Sequence, residues 1–154
     1  MSEDKLKDNI REASFKNPIS RPVAEEQFQA LIDFYDCVPE DFADKDIEKN
    51  FDRIKNRFIR SMVDGKLSIS FEEGKPKITQ RLKYPPDGVP NTLTYKTLDG
   101  KARIAMKGHE EDDNHGRMQA LCGALTGEGE ATMRNLIGPD VSLMEYIGGF
   151  FLQV

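Results

Sequence analysis

Apolar residues along the chain change their spacing twice, and the two changes divide it into three parts. From Asp44 to Asp64 they recur at intervals of three and four residues, which is the period of a helix with one buried face. Between Leu67 and Tyr95 apolar and polar residues alternate, as in a strand that buries one face. From His115 to Val154 helical spacing returns, in the most apolar stretch of the chain.

The first part predicts a pair of helices within residues 22–65. Pro22 suits the first turn of a helix that continues to Asp36, and Gly65 stands where a glycine commonly ends a helix. The apolar face of the second helix consists of Ile47, Phe51, Ile54, Phe58 and Met62.

The middle part, residues 66–107, predicts a β-hairpin and a third strand. A turn at Glu73 to Pro76 separates two alternating segments, although Gln80 interrupts the alternation of the second. Leu93 and Tyr95 indicate the third strand. Residues 101–107 fit either a short helix or a fourth strand.

The last part, residues 115–153, predicts three short helices separated by glycine-rich turns. Asp140 suits the N-cap of the final helix. That helix contains Gly148 and Gly149, and each interior glycine costs about 1 kcal/mol relative to alanine. We therefore expect another part of the backbone to pack closely there.

These elements predict an α+β fold with an N-terminal helical pair, a small antiparallel β-sheet and a C-terminal helical bundle. The length of 154 residues fits one domain and a tail. We assign residues 21–154 to the single domain and residues 1–20, which are polar and weakly periodic, to a mobile N-terminal arm.

Charge and composition narrow the class of function. The formal net charge of −5 argues against a dominant role in nucleic-acid binding, which needs clustered basic residues. Lys55, Arg57 and Arg60 are therefore interpreted as a solvated helix face, with phosphate contact as the alternative. The absence of a signal peptide, and of an apolar run of about 20 residues, predicts a cytoplasmic protein that does not enter the membrane.

Residues that carry chemistry are few. Cys37 and Cys122 lie in apolar helical patterns, which predicts buried free thiols. No phosphate-binding loop and no Gly-x-Ser-x-Gly elbow is present, and neither histidine has an identifiable serine or cysteine partner. We predict no catalytic residue, no metal ligand and no cofactor, and hence no enzyme.

An acidic loop between Gly108 and Gly116 holds ligand-type side chains in quantity. They are His109, Glu110, Glu111, Asp112, Asp113 and His115. The loop fails as an EF-hand because placing Gly116 at the sixth position puts Cys122 at the twelfth, where a glutamate is required. An exposed acidic linker is the favoured interpretation, and a metal-dependent enzyme that uses this loop is the alternative.

The apolar C-terminal helices admit two interpretations. Their apolar face is either ordinary core or an exposed strip for a partner helix or a second copy of the chain.

The layout of residues 82–152 resembles that of the tail assembly chaperones of Mu-like and related tailed phages. An extended stretch at Thr92 to Lys96 is followed by a turn, a short element ending near Met106 and an acidic spacer. Met118 to Gly127 is similar to the family's helix that ends in a Leu-Thr-Gly turn. Residues 136–140 come next, and Val141 to Leu152 is similar to its closing helix, with small residues before Phe and Leu. Residues 23–81 have no counterpart in that layout.

The resemblance implies a small non-enzymatic protein that binds the tape measure protein and shields its apolar helices during tail assembly. It implies the host cell cytoplasm as the location and leaves self-association open. The residues that we expect to contact the partner are Leu121, Leu125, Met144, Ile147, Phe150 and Phe151. A host regulatory or adaptor domain is a further alternative.

Overall fold

The computed structural model describes residues 18–42 and 44–154. In this part of the chain six α-helices surround one three-stranded antiparallel sheet, with helices at both ends, which confirms the predicted α+β class. Most of the predicted arm, residues 1–17, lies outside the described residues.

The N-terminal helical pair forms as predicted. Helix α1 spans Arg21–Phe34 and helix α2 spans Lys45–Val63, with a short 3-10 turn at Pro39–Asp41 between them. Gly65 ends α2 in a left-handed conformation, with φ of 75°. Ile47 is 40% exposed, so the buried face of α2 begins one turn later than predicted, at Phe51.

The sheet consists of β1 at Leu67–Glu72, β2 at Lys75–Arg81 and β3 at Thr92–Tyr95, in that order. Glu73 and Gly74 both have positive φ and form the tight turn of the hairpin, so β2 begins earlier than predicted. Gln80 does not interrupt β2, because its side chain points inward and is fully buried.

The C-terminal half contains four helices. Helix α3 spans Gly100–Ile104. The segment at residues 101–107, which fitted either a short helix or a fourth strand, therefore contains a short helix. Helix α4 spans Asn114–Thr126, α5 spans Glu130–Arg134 and α6 spans Pro139–Gln153. Helix α6 packs against both α2 and α4, and α4 also contacts β3.

The core is centred on aromatic rings from both ends of the chain. The Phe150 ring on α6 lies 5.4 Å from that of Phe58 and 6.0 Å from that of Phe28, centroid to centroid. Tyr35 and Phe51 also lie within 6.4 Å of Phe150. Edge-to-face and tilted aromatic pairs of this kind add about 0.5 to 1.5 kcal/mol each beyond the area they bury. The last helix is therefore joined to the first two by the core itself.

Gly148 and Gly149 have different surroundings. A Cβ placed on Gly148 would lie 2.9 Å from Cβ of Met118 on α4, which is too close for two carbons. A Cβ on Gly149 would meet only Cδ1 of Ile54, at 3.4 Å. A close approach thus occurs at Gly148, where α6 packs on α4, but it is made by side chains of α4 and not by another part of the backbone as expected.

The sequence suggested Asp140 as the N-cap of α6, and this prediction is wrong. The cap position is Gly138, and Asp140 lies inside the first turn, 3% exposed. Its carboxylate accepts hydrogen bonds from the backbone N–H groups of Lys83, at 2.9 Å, and Tyr84, at 2.8 Å. Its backbone oxygen accepts from Nε2 of Gln80 at 2.9 Å. Asp140 therefore joins the start of α6 to the end of the hairpin.

We expect Gly148→Ala to lower the free energy of unfolding by about 1 to 3 kcal/mol, because the added methyl group overpacks the α4–α6 contact. Gly149→Ala is the matched control, and it should be neutral or raise stability by up to about 1 kcal/mol through helix propensity. Urea denaturation of both variants measures the difference. Equal effects would contradict the close helix crossing.

We expect Asp140→Ala to lower the free energy of unfolding by roughly 2 kcal/mol, because two backbone N–H groups lose a charged acceptor. Asp87→Ala, an exposed carboxylate in the loop between β2 and β3, is the control and should change stability by less than about 0.5 kcal/mol. Thermal and urea unfolding measure both. A neutral Asp140→Ala would show that the hairpin does not depend on α6.

Candidate functional site

The six residues predicted to contact a partner are core residues in this structure. Their exposed fractions range from 0 to 2%, and the set comprises Leu121, Leu125, Met144, Ile147, Phe150 and Phe151. The expectation that they line an accessible strip is therefore corrected. A partner would reach them only if α6 left its place between α2 and α4, which would break the aromatic contacts of Phe150.

The acidic loop separates its two histidines rather than bringing them to one point. His109 lies 2.9 Å from a carboxylate oxygen of Glu130 and 3.4 Å from one of Asp113. His115 instead faces Glu145, at 3.7 Å. Across residues 18–42 and 44–154 no group of three or more His, Cys, Asp or Glu side chains is placed to hold a metal ion. The alternative of a metal-dependent site in this loop is thus not supported.

Asp113 explains part of the loop's composition. Its side chain accepts a hydrogen bond from the backbone N–H of Gly116 at 3.0 Å and caps the N-terminus of α4. That hydrogen bond, followed by the contact with His109, lowers the pKa of the Asp113 carboxyl. The acidic residue is therefore used to begin a helix.

The two thiols differ in exposure, which corrects the prediction that both are buried. Cys122 is fully buried on α4, and its Sγ atom faces the backbone oxygen of Met144 on α6. Cys37 is only partly buried. Burial raises the pKa of both thiols, so neither is an activated nucleophile.

An open cleft lies on the outer side of the same C-terminal helices. It is formed by α2, α4 and α6, encloses about 550 Å³, and is called the α2–α6 cleft below. Both apolar and polar residues line it. The lining includes Ile54, Arg53, Arg117, Met118, Tyr146 and Leu152.

The cleft could not be predicted from the sequence, because its walls come from residues about ninety positions apart. Arg53 belongs to α2, and Tyr146 and Leu152 belong to α6. Nothing in the spacing along either helix shows that these side chains meet. Only the aromatic packing of α6 on α2 brings them together.

No protein-family model, no curated protein and no solved structure matches the chain. None of the helices in the described part of the chain is both long enough and apolar enough to cross a membrane. The functional interpretation therefore depends on the geometry above and on the resemblance in layout.

We expect one thiol to react with a disulfide reagent in the native protein and the second only after denaturation. Cys37→Ser should remove the native signal, whereas Cys122→Ser should leave it, because α6 covers Cys122. Absorbance of the released thiolate measures both rates. Rapid labelling of Cys122 in native Cys37→Ser protein would show that α6 opens readily and exposes the core residues.

Proposed function

We propose that the chain is a non-enzymatic binding protein, a phage or prophage tail assembly chaperone whose partner is the tape measure protein. The observation that carries the proposal is the layout of residues 82–152, slightly less than half of the chain, which resembles the layout of that family. The proposed location is the cytoplasm of the host cell. The proposed task is to cover apolar helices of the partner before the tail tube encloses them.

The packing of the C-terminal elements supports this proposal. Strand β3 is tied to α4 by a hydrogen bond from the Lys96 N–H to the Leu125 oxygen, at 3.1 Å. Helices α4 and α6 pack against each other. The segments that carry the resemblance thus belong to one continuous structural unit.

The α2–α6 cleft provides the surface for a partner helix in this proposal. Leu152, which is only partly buried, would supply apolar contact, and the polar lining residues would meet the solvated face of an amphipathic helix. This places the proposed contact on the outer side of α4 and α6, because their inner sides are core. Residues of α2, which have no counterpart in the family layout, form the opposite wall.

Co-expression with the tape measure protein encoded in the same genome, followed by pull-down, tests the proposal. We expect a complex with the unmodified chain and about tenfold weaker binding with Leu152→Asp, equivalent to about 1.4 kcal/mol. The physical reason is that a carboxylate placed in the cleft is desolvated by an apolar helix.

Ile104→Asp is the matched control, since Ile104 is 57% exposed and lies outside the cleft. It should bind as the unmodified chain does. If the folded, monodisperse protein forms no complex, the proposed partner is wrong. If both variants bind normally, the partner uses another surface.

A further inference from the structure

Four arginines line a second depression next to the α2–α6 cleft. Arg53, Arg57 and Arg60 come from one face of α2, and Arg21 comes from α1. Asn56 and Tyr146 complete the lining of this arginine pocket, which encloses about 330 Å³. Residues 53 and 60 are seven positions apart, so the arginines of α2 extend over about 10 Å of helix.

Most of this positive charge has no carboxylate partner among residues 18–42 and 44–154. Arg21 pairs with Glu25 at 3.2 Å. The other ion pairs among the described residues involve Lys77, Arg134 and the two histidines, and none involves Arg53, Arg57 or Arg60. The chain carries a net charge of −5, yet the lining of this pocket contains four arginines and no acidic residue.

Arg57 is held in place without a charge partner. Its guanidinium carbon lies 5.4 Å from the centre of the Tyr146 ring. Its Nε atom is buried and has no hydrogen-bond partner in the part of the chain that the structure describes. The ring fixes the guanidinium at the boundary between the pocket and α6.

Guanidinium groups that have no carboxylate partner among the described residues are suited to bind carboxylates, and that of Arg57 is also held in place by Tyr146. Each planar guanidinium presents N–H donors as a fork that matches the two oxygens of a carboxylate, and such charge-assisted hydrogen bonds are about twice as strong as neutral ones. Side chains three and four residues apart on a partner helix would match the spacing along α2. An anionic ligand would also relieve the mutual repulsion of the arginines.

We propose that the arginine pocket binds an acidic segment of a protein partner, which places two or more carboxylates between Arg53 and Arg60. The pocket shares Arg53 and Tyr146 with the α2–α6 cleft, so one bound segment would reach both. The inference rests on the proposed function in one respect, the protein nature of the partner. Nucleic acid is disfavoured because the pocket is small and the rest of the chain is acidic.

The test uses a fluorescent alanine-based peptide of about sixteen residues with glutamates three and four positions apart, and a second peptide with glutamine at the same positions. Fluorescence anisotropy with the full chain measures both affinities at low salt. We expect the glutamate peptide to bind at least tenfold more tightly and its affinity to fall as salt is raised.

Two variants with the same change in net charge locate the site. Arg57→Gln combined with Arg60→Gln should weaken binding of the glutamate peptide at least tenfold. Lys75→Gln combined with Lys96→Gln, at exposed positions outside the arginine pocket, should leave it unchanged. Circular dichroism confirms that each variant is folded, and Arg60→Gln alone replaces the pair if Arg57→Gln does not fold.

Three results would overturn the proposal. They are equal affinity for the two peptides, equal loss in the arginine and lysine variants, and tighter binding of a single-stranded DNA of equal charge. A failed pull-down with the tape measure protein, beside intact peptide binding, would instead reject that partner and leave the pocket standing. A normal pull-down with the arginine variant would reject the pocket for that partner.

Discussion

The aromatic cluster around Phe150 is the interaction on which the rest of the structure depends. Phe28 and Tyr35 come from the first helix and its end, Phe51 and Phe58 come from α2, and Phe150 comes from the last helix. Phe150 is more than ninety residues from each of the other four in the chain, so the contact joins the last helix to the first two. Because the interior is closely packed, the ring of Phe150 cannot leave without opening a cavity among four others. The position of α6 decides in turn where α4, Asp140 and both surface depressions lie.

This packing changes the meaning of the apolar C-terminal half. Apolar surface that faces a neighbouring helix stabilises the fold by about 25 cal/mol for each Å² removed from water. Because folding has already buried this surface, it cannot also stabilise a complex with a partner. The same helices have a second side, which is mixed in character and faces the α2–α6 cleft. In the proposed function, the chain would keep its apolar residues inside and offer a partner the α2–α6 cleft.

Charge follows a similar division of tasks. The acidic loop serves the fold, because Asp113 caps α4 and the carboxylates of Glu130 and Glu145 face the two histidines. The arginines of α2 form no ion pair among the described residues and line a surface depression beside Tyr146, which Arg57 contacts. Screening in water keeps the cost of such a cluster small, and a ligand that excludes water would strengthen every contact in it. The acidic side chains named here thus stabilise the fold, whereas the arginines of α2 form the surface that we propose binds a partner.

The sequence by itself determined the class of the fold and the type of most elements. Period three-to-four spacing in Phe51, Ile54 and Phe58 and the alternation in Leu67 and Ile69 are local properties, because they follow from the geometry of one helix or strand. Only the tertiary structure decided which apolar face meets which. Gln80 breaks the alternation of its strand because its side chain accepts a hydrogen bond from Tyr95 inside the core. Asp140 binds the end of the hairpin and does not cap its own helix. The predicted partner residues are apolar because they form the core. The arginine pocket exists only where α1, α2 and α6 come together. Burial and charge pairing depend on residues distant in the chain, and a local pattern contains no record of them.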